Sequence, residues 1–280
     1  MPLVTTAELV SAAAAGARGV AAFNVVTLEH AEGITAGAER VGAPVILQVS
    51  ENTVAFHGAL HPVTAALVAM AGASAVPMAL HLDHVEAADL WALAAGAGYS
   101  SVMVDGGALP YERNVAVTAE ATAALHAKGL AVEAELGYVG GKDGQVSSAH
   151  SPDVRTDPRQ AAEFVDATEV DALAVAVGSS HAMTTRTAEL DLELIAALRD
   201  AVPVPLVLHG SSGVPDDALR AAVRAGIAKV NIGTALNVAY TGAVRAALAD
   251  EDAADPRRAL RAARAAIADT VAHLLDVIGG

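Results

Sequence analysis

Short runs of apolar, mostly β-branched residues alternate along this chain with Ala-rich stretches of helical period. The runs lie near Val20–Val25, Val45–Val49, Met78–Leu82, Ser101–Val104, Leu130–Leu136, Ala172–Val177, Leu206–Leu208 and Lys229–Ile232. Between them come Leu28–Val41, Pro62–Ala73, Ala87–Ala95, Arg113–Lys128, Pro158–Ala167, Leu192–Asp200, Pro215–Ala225 and Ala235–Ala249. Eight strands alternating with eight helices predict parallel βαβ units. Parallel strands are covered on both faces and read as continuous apolar runs, as these do. An open doubly wound sheet is the competing arrangement, but it needs a Gly-rich turn after its first strand, and Asn24–Glu29 contains no glycine. The expected fold is therefore α/β, a (β/α)8 TIM barrel spanning residues 1–280 as one domain. An extra C-terminal helix over Pro256–Ile278 is free to pack on the barrel or on a neighbouring subunit.

Each apolar run ends in polar residues. In order these are Asn24, Ser50 with Glu51, Asp83 with His84, Asp105, Glu133 with Glu135, Ser179 to His181, His209 with Gly210, and Asn231. A barrel gathers all such ends at its C-terminal face, where active sites form. Three histidines stand there: His84, His181 and His209. Three neutral imidazoles hold zinc tetrahedrally and leave one position open for substrate. The remaining histidines, His30, His57, His61, His126, His150 and His273, fall mostly in predicted helices and loops and read as surface. His81 shares strand parity with Asp83, which places it behind the site. The carboxylates beside the histidines can orient a ligand imidazole, transfer protons, or cap helices.

Two Gly-containing turns open helices at the same face. One is His209-Gly210-Ser211-Ser212-Gly213, the other Asn231-Ile232-Gly233-Thr234. Small residues let the backbone approach a ligand, and helix N-termini point N–H groups at an anion. Barrels often hold phosphate in these two loops. The connection from Gly137 to Asp157 is about 20 residues long, too long for a plain βα loop, and carries Gly140, Gly141 and Gly144. It reads as a lid.

Composition narrows the partners. Net charge is −15, which repels nucleic acid and anionic membrane surfaces at long range. A phosphorylated small molecule then needs a local cradle of backbone N–H groups. The absence of cysteine excludes disulfides and thiolate metal sites and fits a cytoplasmic enzyme. No signal peptide or membrane-spanning run is apparent. Aromatics are only 3%, so the core must consist of Ala, Val, Leu and Ile.

Four segments together resemble the class II aldolases, closest to those acting on fructose and tagatose bisphosphate. They are Leu80-His81-Leu82-Asp83-His84, Val132 to Gly137 with Gly140-Gly141, Leu208 to Gly213, and Val230 to Thr234. The resemblance runs in order from about Thr5 to the C-terminus. It implies cleavage of a ketose 1,6-bisphosphate to dihydroxyacetone phosphate and an aldehyde such as glyceraldehyde 3-phosphate. It implies zinc, or another divalent metal, on His84, His181 and His209, with Asp105 and Glu135 as ligands of an alternative, more buried position. Asp83 becomes the acid/base at the aldehyde-derived hydroxyl. Gly210, Ser212, Asn231, Thr234 and Ala182 become the phosphate and dihydroxyacetone contacts, with a monovalent cation nearby. A homodimer or homotetramer is expected. Two residues depart from the family pattern. Ala182 replaces a glycine after the second ligand histidine. Lys142-Asp143-Gly144 replaces the lid glutamate, leaving Asp143 as the stand-in base. These departures motivate the alternative of a repurposed barrel that binds metal and sugar phosphate without catalysis. A Schiff-base aldolase would need Lys229, the only lysine on a strand, and would leave the three histidines unexplained.

Overall fold

The computed structural model describes residues 3–137, 139, 155–249 and 254–279. Eight strands close into one parallel barrel in sequence order: β1 Val20–Asn24, β2 Val45–Ser50, β3 Met78–Val85, β4 Ser101–Val104, β5 Ala131–Leu136, β6 Ala172–Val175, β7 Leu206–Leu208 and β8 Ile227–Ile232. β8 pairs back onto β1 through Val20↔Lys229 to Phe23↔Ile232, which excludes the open sheet. This is the expected (β/α)8 barrel with its C-terminal helix.

Side chains alternate across each strand, and the two faces differ sharply in chemistry. Outward positions such as Phe23, Leu47, Leu80, Val102, Val132, Leu173, Leu208 and Val230 pack under the helices in one continuous aliphatic cluster. Inward positions toward the C-terminal half are polar: Gln48, His81, Glu133, His209 and Lys229 are all buried. The floor of the barrel is apolar again, with Val20, Ala22, Ile46, Ala79 and Ala228 packed against Val10.

Val10 belongs to Thr6–Ala15, a helix the hydrophobic pattern does not single out. Its start is fixed by a capping box, in which Thr5 accepts from the Glu8 backbone and Glu8 accepts from the Thr5 N–H. The alternation of strand and helix also misses Glu51–His57, one short helix capped by Ser50 between β2 and the next long helix. The last helix, Pro256–Gly279, settles on the barrel of its own chain, chiefly on Leu28–Val41. Gly33 and Gly37 make that contact close: a Cβ on either would lie 2.7 Å from Ile267 or Ala268. Arg264 to Glu32 and Arg40 to Asp269, each at 2.8 Å, flank the seam. Among the described residues no single helix is long and apolar enough to cross a membrane.

Candidate active site

The three strand-end histidines converge. His84 ends β3, His181 lies beyond β6, and His209 follows β7 directly. One ring nitrogen of each lies within 4.8 Å of the others. The rings stand 4.9 to 5.8 Å apart by centroid and 67° to 74° to one another. Rings this close and mutually steep aim nitrogens at a common point rather than stacking, which suits a tetrahedral cation.

Carboxylates select which nitrogen the His84 and His209 rings turn inward. His84 Nδ1 is 2.7 Å from Asp105 Oδ2, leaving Nε2 for the centre. His209 Nε2 is 2.9 Å from Glu133 Oε1, leaving Nδ1, which lies 3.0 Å from Glu135 Oε2. A ligand imidazole held this way by an outer carboxylate has a fixed tautomer and orientation. The three-histidine set therefore fits a divalent metal, with Asp105 and Glu135 immediately beside it. Burial alone would push His209 down, but its hydrogen bonds to Glu133 and Glu135 prevail and raise it to about 9. Metal binding must then expel a proton from that ring.

Asp83 is buried beside the same centre. Its Oδ2 accepts from the amides of Asn24 at 3.2 Å and Gln48 at 3.4 Å. Burial works to raise its carboxyl, yet the neighbouring His84 prevails and holds it below the usual range. Asp83 is thus an ionised carboxylate, ready to accept a proton. The backbone explains how consecutive residues reach one cavity. In a regular strand Asp83 and His84 would point to opposite faces. His84 instead takes a left-handed φ of 50°, and the β3–β4 register shifts between Leu82 and Val85. This irregularity turns both side chains toward one cavity of about 210 Å³. A left-handed non-glycine residue is strained and persists only where its surroundings impose it.

The other wall of that cavity gathers the residues expected to contact phosphate. Gly210, Ser212, Asn231, Thr234 and Ala182 all line it. Gly210 has φ 65°, and a Cβ there would lie 2.6 Å from the Ser180 backbone, so no other residue fits. Ser212 Oγ accepts from the Ala235 N–H at 3.0 Å, tying the turn after β7 to the start of helix Thr234–Ala247. Both side-chain atoms of the buried Asn231 lack a partner among the described residues. Ala182 takes φ 58°, a left-handed conformation that glycine adopts without cost.

A family model described as class II fructose-bisphosphate aldolase matches residues 4–280. The chain belongs to that family. Among solved structures, this class II aldolase is similar to the YdjI aldolase of Escherichia coli K12, at 32% identity and a TM-score of 0.84, over 99% of this chain and 97% of that one. It is also similar to a protein of Coccidioides immitis provisionally named a fructose-1,6-bisphosphate aldolase, at 28% identity and a TM-score of 0.87, over 98% and 95% of the chains. Fructose-bisphosphate aldolase from Campylobacter jejuni, at 22% identity and a TM-score of 0.80 over 99% and 95%, shares the fold.

Several sequence expectations need adjustment in this aldolase. His30 is buried, not on the surface: it stacks on Tyr240 at 4.7 Å and meets Thr27 Oγ1 through Nδ1 at 3.1 Å. Apolar periodicity cannot distinguish a histidine stacked under a neighbouring helix from one facing water. Asp143, the lid base, and most of the lid, Gly140, Gly141 and Gly144 included, lie outside the described residues. His81 lies behind Asp83 at 3.8 Å, and its Nδ1 is bonded to Ser101 Oγ at 2.7 Å. Burial, reinforced by the Lys229 charge, keeps that ring neutral and lowers it to about 3. Gln48 was not singled out, although a lone polar residue within Val45–Val49, at inward parity, was the available signal. Lys229 is fully buried with Nζ 2.6 Å from Glu133 Oε2, a tie that sets it apart from a free Schiff-base amine.

Proposed function

We propose that this class II aldolase is metal-dependent and reversibly cleaves a ketose 1,6-bisphosphate, of fructose or tagatose, to dihydroxyacetone phosphate and an aldehyde such as glyceraldehyde 3-phosphate. The observation that carries the reading is the meeting of three histidine nitrogens within 4.8 Å, with His84 and His181 lining the cavity that also holds Asp83 and the Gly210–Asn231 cradle and His209 fully buried beside them. His84, His181 and His209 would hold the ion, zinc by its preference for such a set. Once bound, a divalent ion acts as a Lewis acid toward a ketose carbonyl.

The chain's own residues do the rest. The turns at Gly210–Ser212 and Asn231–Thr234 present backbone N–H groups and hydroxyls to one phosphate, fixing the carbon skeleton relative to Asp83. Asp83 takes the C4 hydroxyl proton as the C3–C4 bond breaks and returns it in condensation. Asn24 and Gln48 hold its carboxylate with two N–H donors, so it accepts the proton in one orientation. The proton at C3 is assigned to Asp143 on sequence grounds. The family includes proteins known by other names, such as the YdjI aldolase, so the substrate is the part to test. Metal analysis of the purified protein, followed by a cleavage assay on both bisphosphates, should give about one divalent ion per chain and turnover of one substrate. Ligand binding with a full metal site but no cleavage of either would transfer the conclusion to the repurposed barrel.

A further inference from the structure

Lys229 lies inside the barrel with no exposure, two residues before Asn231 on the same strand, and does not line the cavity that His84 and His181 line. Its Nζ is 2.6 Å from Glu133 Oε2. The other oxygen of the same carboxylate, Oε1, is 2.9 Å from His209 Nε2. One carboxylate is therefore held at one end by a buried cation and meets the deepest histidine at the other. We propose that Lys229 is a positioning residue for the metal centre: through Glu133 it locks the His209 ring with Nε2 donating outward and Nδ1 turned toward His84 and His181. The proposal rests on the metal-dependent reading above.

Three features of the interior support it. Among the described residues the next candidate to anchor Glu133, His81, has Nε2 3.9 Å from Oε2, beyond hydrogen-bond reach. The lysine approaches the site from the barrel floor, where it lines a small cavity with Glu133, Thr6, Ser101 and His81 that neither His84 nor His181 reaches. Finally, a buried ammonium so near a divalent ion should by simple Coulomb repulsion weaken metal binding. A lysine that strengthens binding must therefore act through geometry, and the two accounts differ in sign.

Zinc binding to the full-length protein, measured by competition with a chromogenic chelator, tests this. The wild-type protein is titrated first; failure to bind zinc there would refute the metal-dependent reading and leave nothing for Lys229 to position. With wild-type binding established, Lys229→Met should weaken zinc affinity roughly 10- to 100-fold, the usual effect of losing an outer-sphere partner. In the 15N spectrum of the histidine side chains of the metal-free protein, recorded at a pH above the His209 value of about 9 so that the ring is neutral, the resonance absent from His209→Gln should change from a single Nε2–H tautomer to an exchanging mixture. A folded Lys229→Met protein that binds zinc as tightly as wild type, or more tightly, would overturn the proposal. If Lys229→Met does not fold, Glu133→Gln is compared with the Lys229→Met/Glu133→Gln double variant. Equal zinc affinity in these two supports action through Glu133; weaker binding by the double variant overturns it.

Discussion

The inner and outer faces of the same eight strands obey opposite rules. The outer face is a sealed apolar layer in which Phe23, Leu47, Leu80, Val102 and Val132 are fully or almost fully buried without a polar contact to make. The inner face, a few ångströms away, is a network of charges: Lys229 on Glu133, Glu133 on His209, and the amides of Gln48 and Asn24 on Asp83. Outer side chains contribute by area removed from water, roughly 25 cal/mol per Å². Inner ones are costly to bury and persist only because each charge has a partner. The barrel thus separates the burden of stability from that of chemistry, and substitutions on the two faces should fail in different ways.

The largest effect should come from the inner face. His209→Ala removes the proposed ligand that two carboxylates hold in place, and metal content should fall from about one ion per chain to near none, with activity lost alongside; atomic absorption on the dialysed protein checks this. Full metal occupancy in that variant would remove His209 from the ligand set. Asp83→Ala should retain metal and fold but lower turnover by roughly 10²–10⁴. Near-normal cleavage would demote Asp83 to a structural carboxylate, whereas loss of metal as well would show that it holds His84.

The outer face should respond in melting temperature. Phe164, on the helix Pro158–Thr168 that packs into this outer cluster, tests it: Phe164→Ala should cost about 3–5 kcal/mol of stability in denaturant unfolding, while zinc affinity stays within about twofold because the side chain does not line the cavity. A large change in zinc affinity would mean the two faces are coupled. The smallest effect concerns the rim. Ala182 at φ 58° carries the penalty of a left-handed alanine, about 1–2 kcal/mol. Glycine there would relieve it but lose about 0.4–1 kcal/mol through unfolded-state freedom. Ala182→Gly should therefore raise stability by up to about 1.6 kcal/mol; a fall would show that the methyl packs usefully at the cavity mouth.

Much of this molecule is legible from the chain alone. Strand-period apolar runs separated by helical stretches specify the barrel, because parallel strands covered on both sides must be apolar throughout. Polar residues at the ends of those runs mark the functional face, since burial without a role would be unfavourable. Parity places Glu133 with Glu135, and Lys229 with Asn231, on inward faces. What the chain does not reveal are contacts between residues far apart in sequence. The pairing of Lys229 with Glu133 spans 96 positions and depends on barrel closure. The burial of His30 depends on Tyr240 arriving from a distant helix. Strand parity even misdirects at Asp83 and His84, whose shared aim comes from a left-handed residue and a register shift. Local pattern determines which residues lie in strands and which face they take; only the closed barrel, by bringing eight strand ends together and imposing that one strained turn, decides which of them meet.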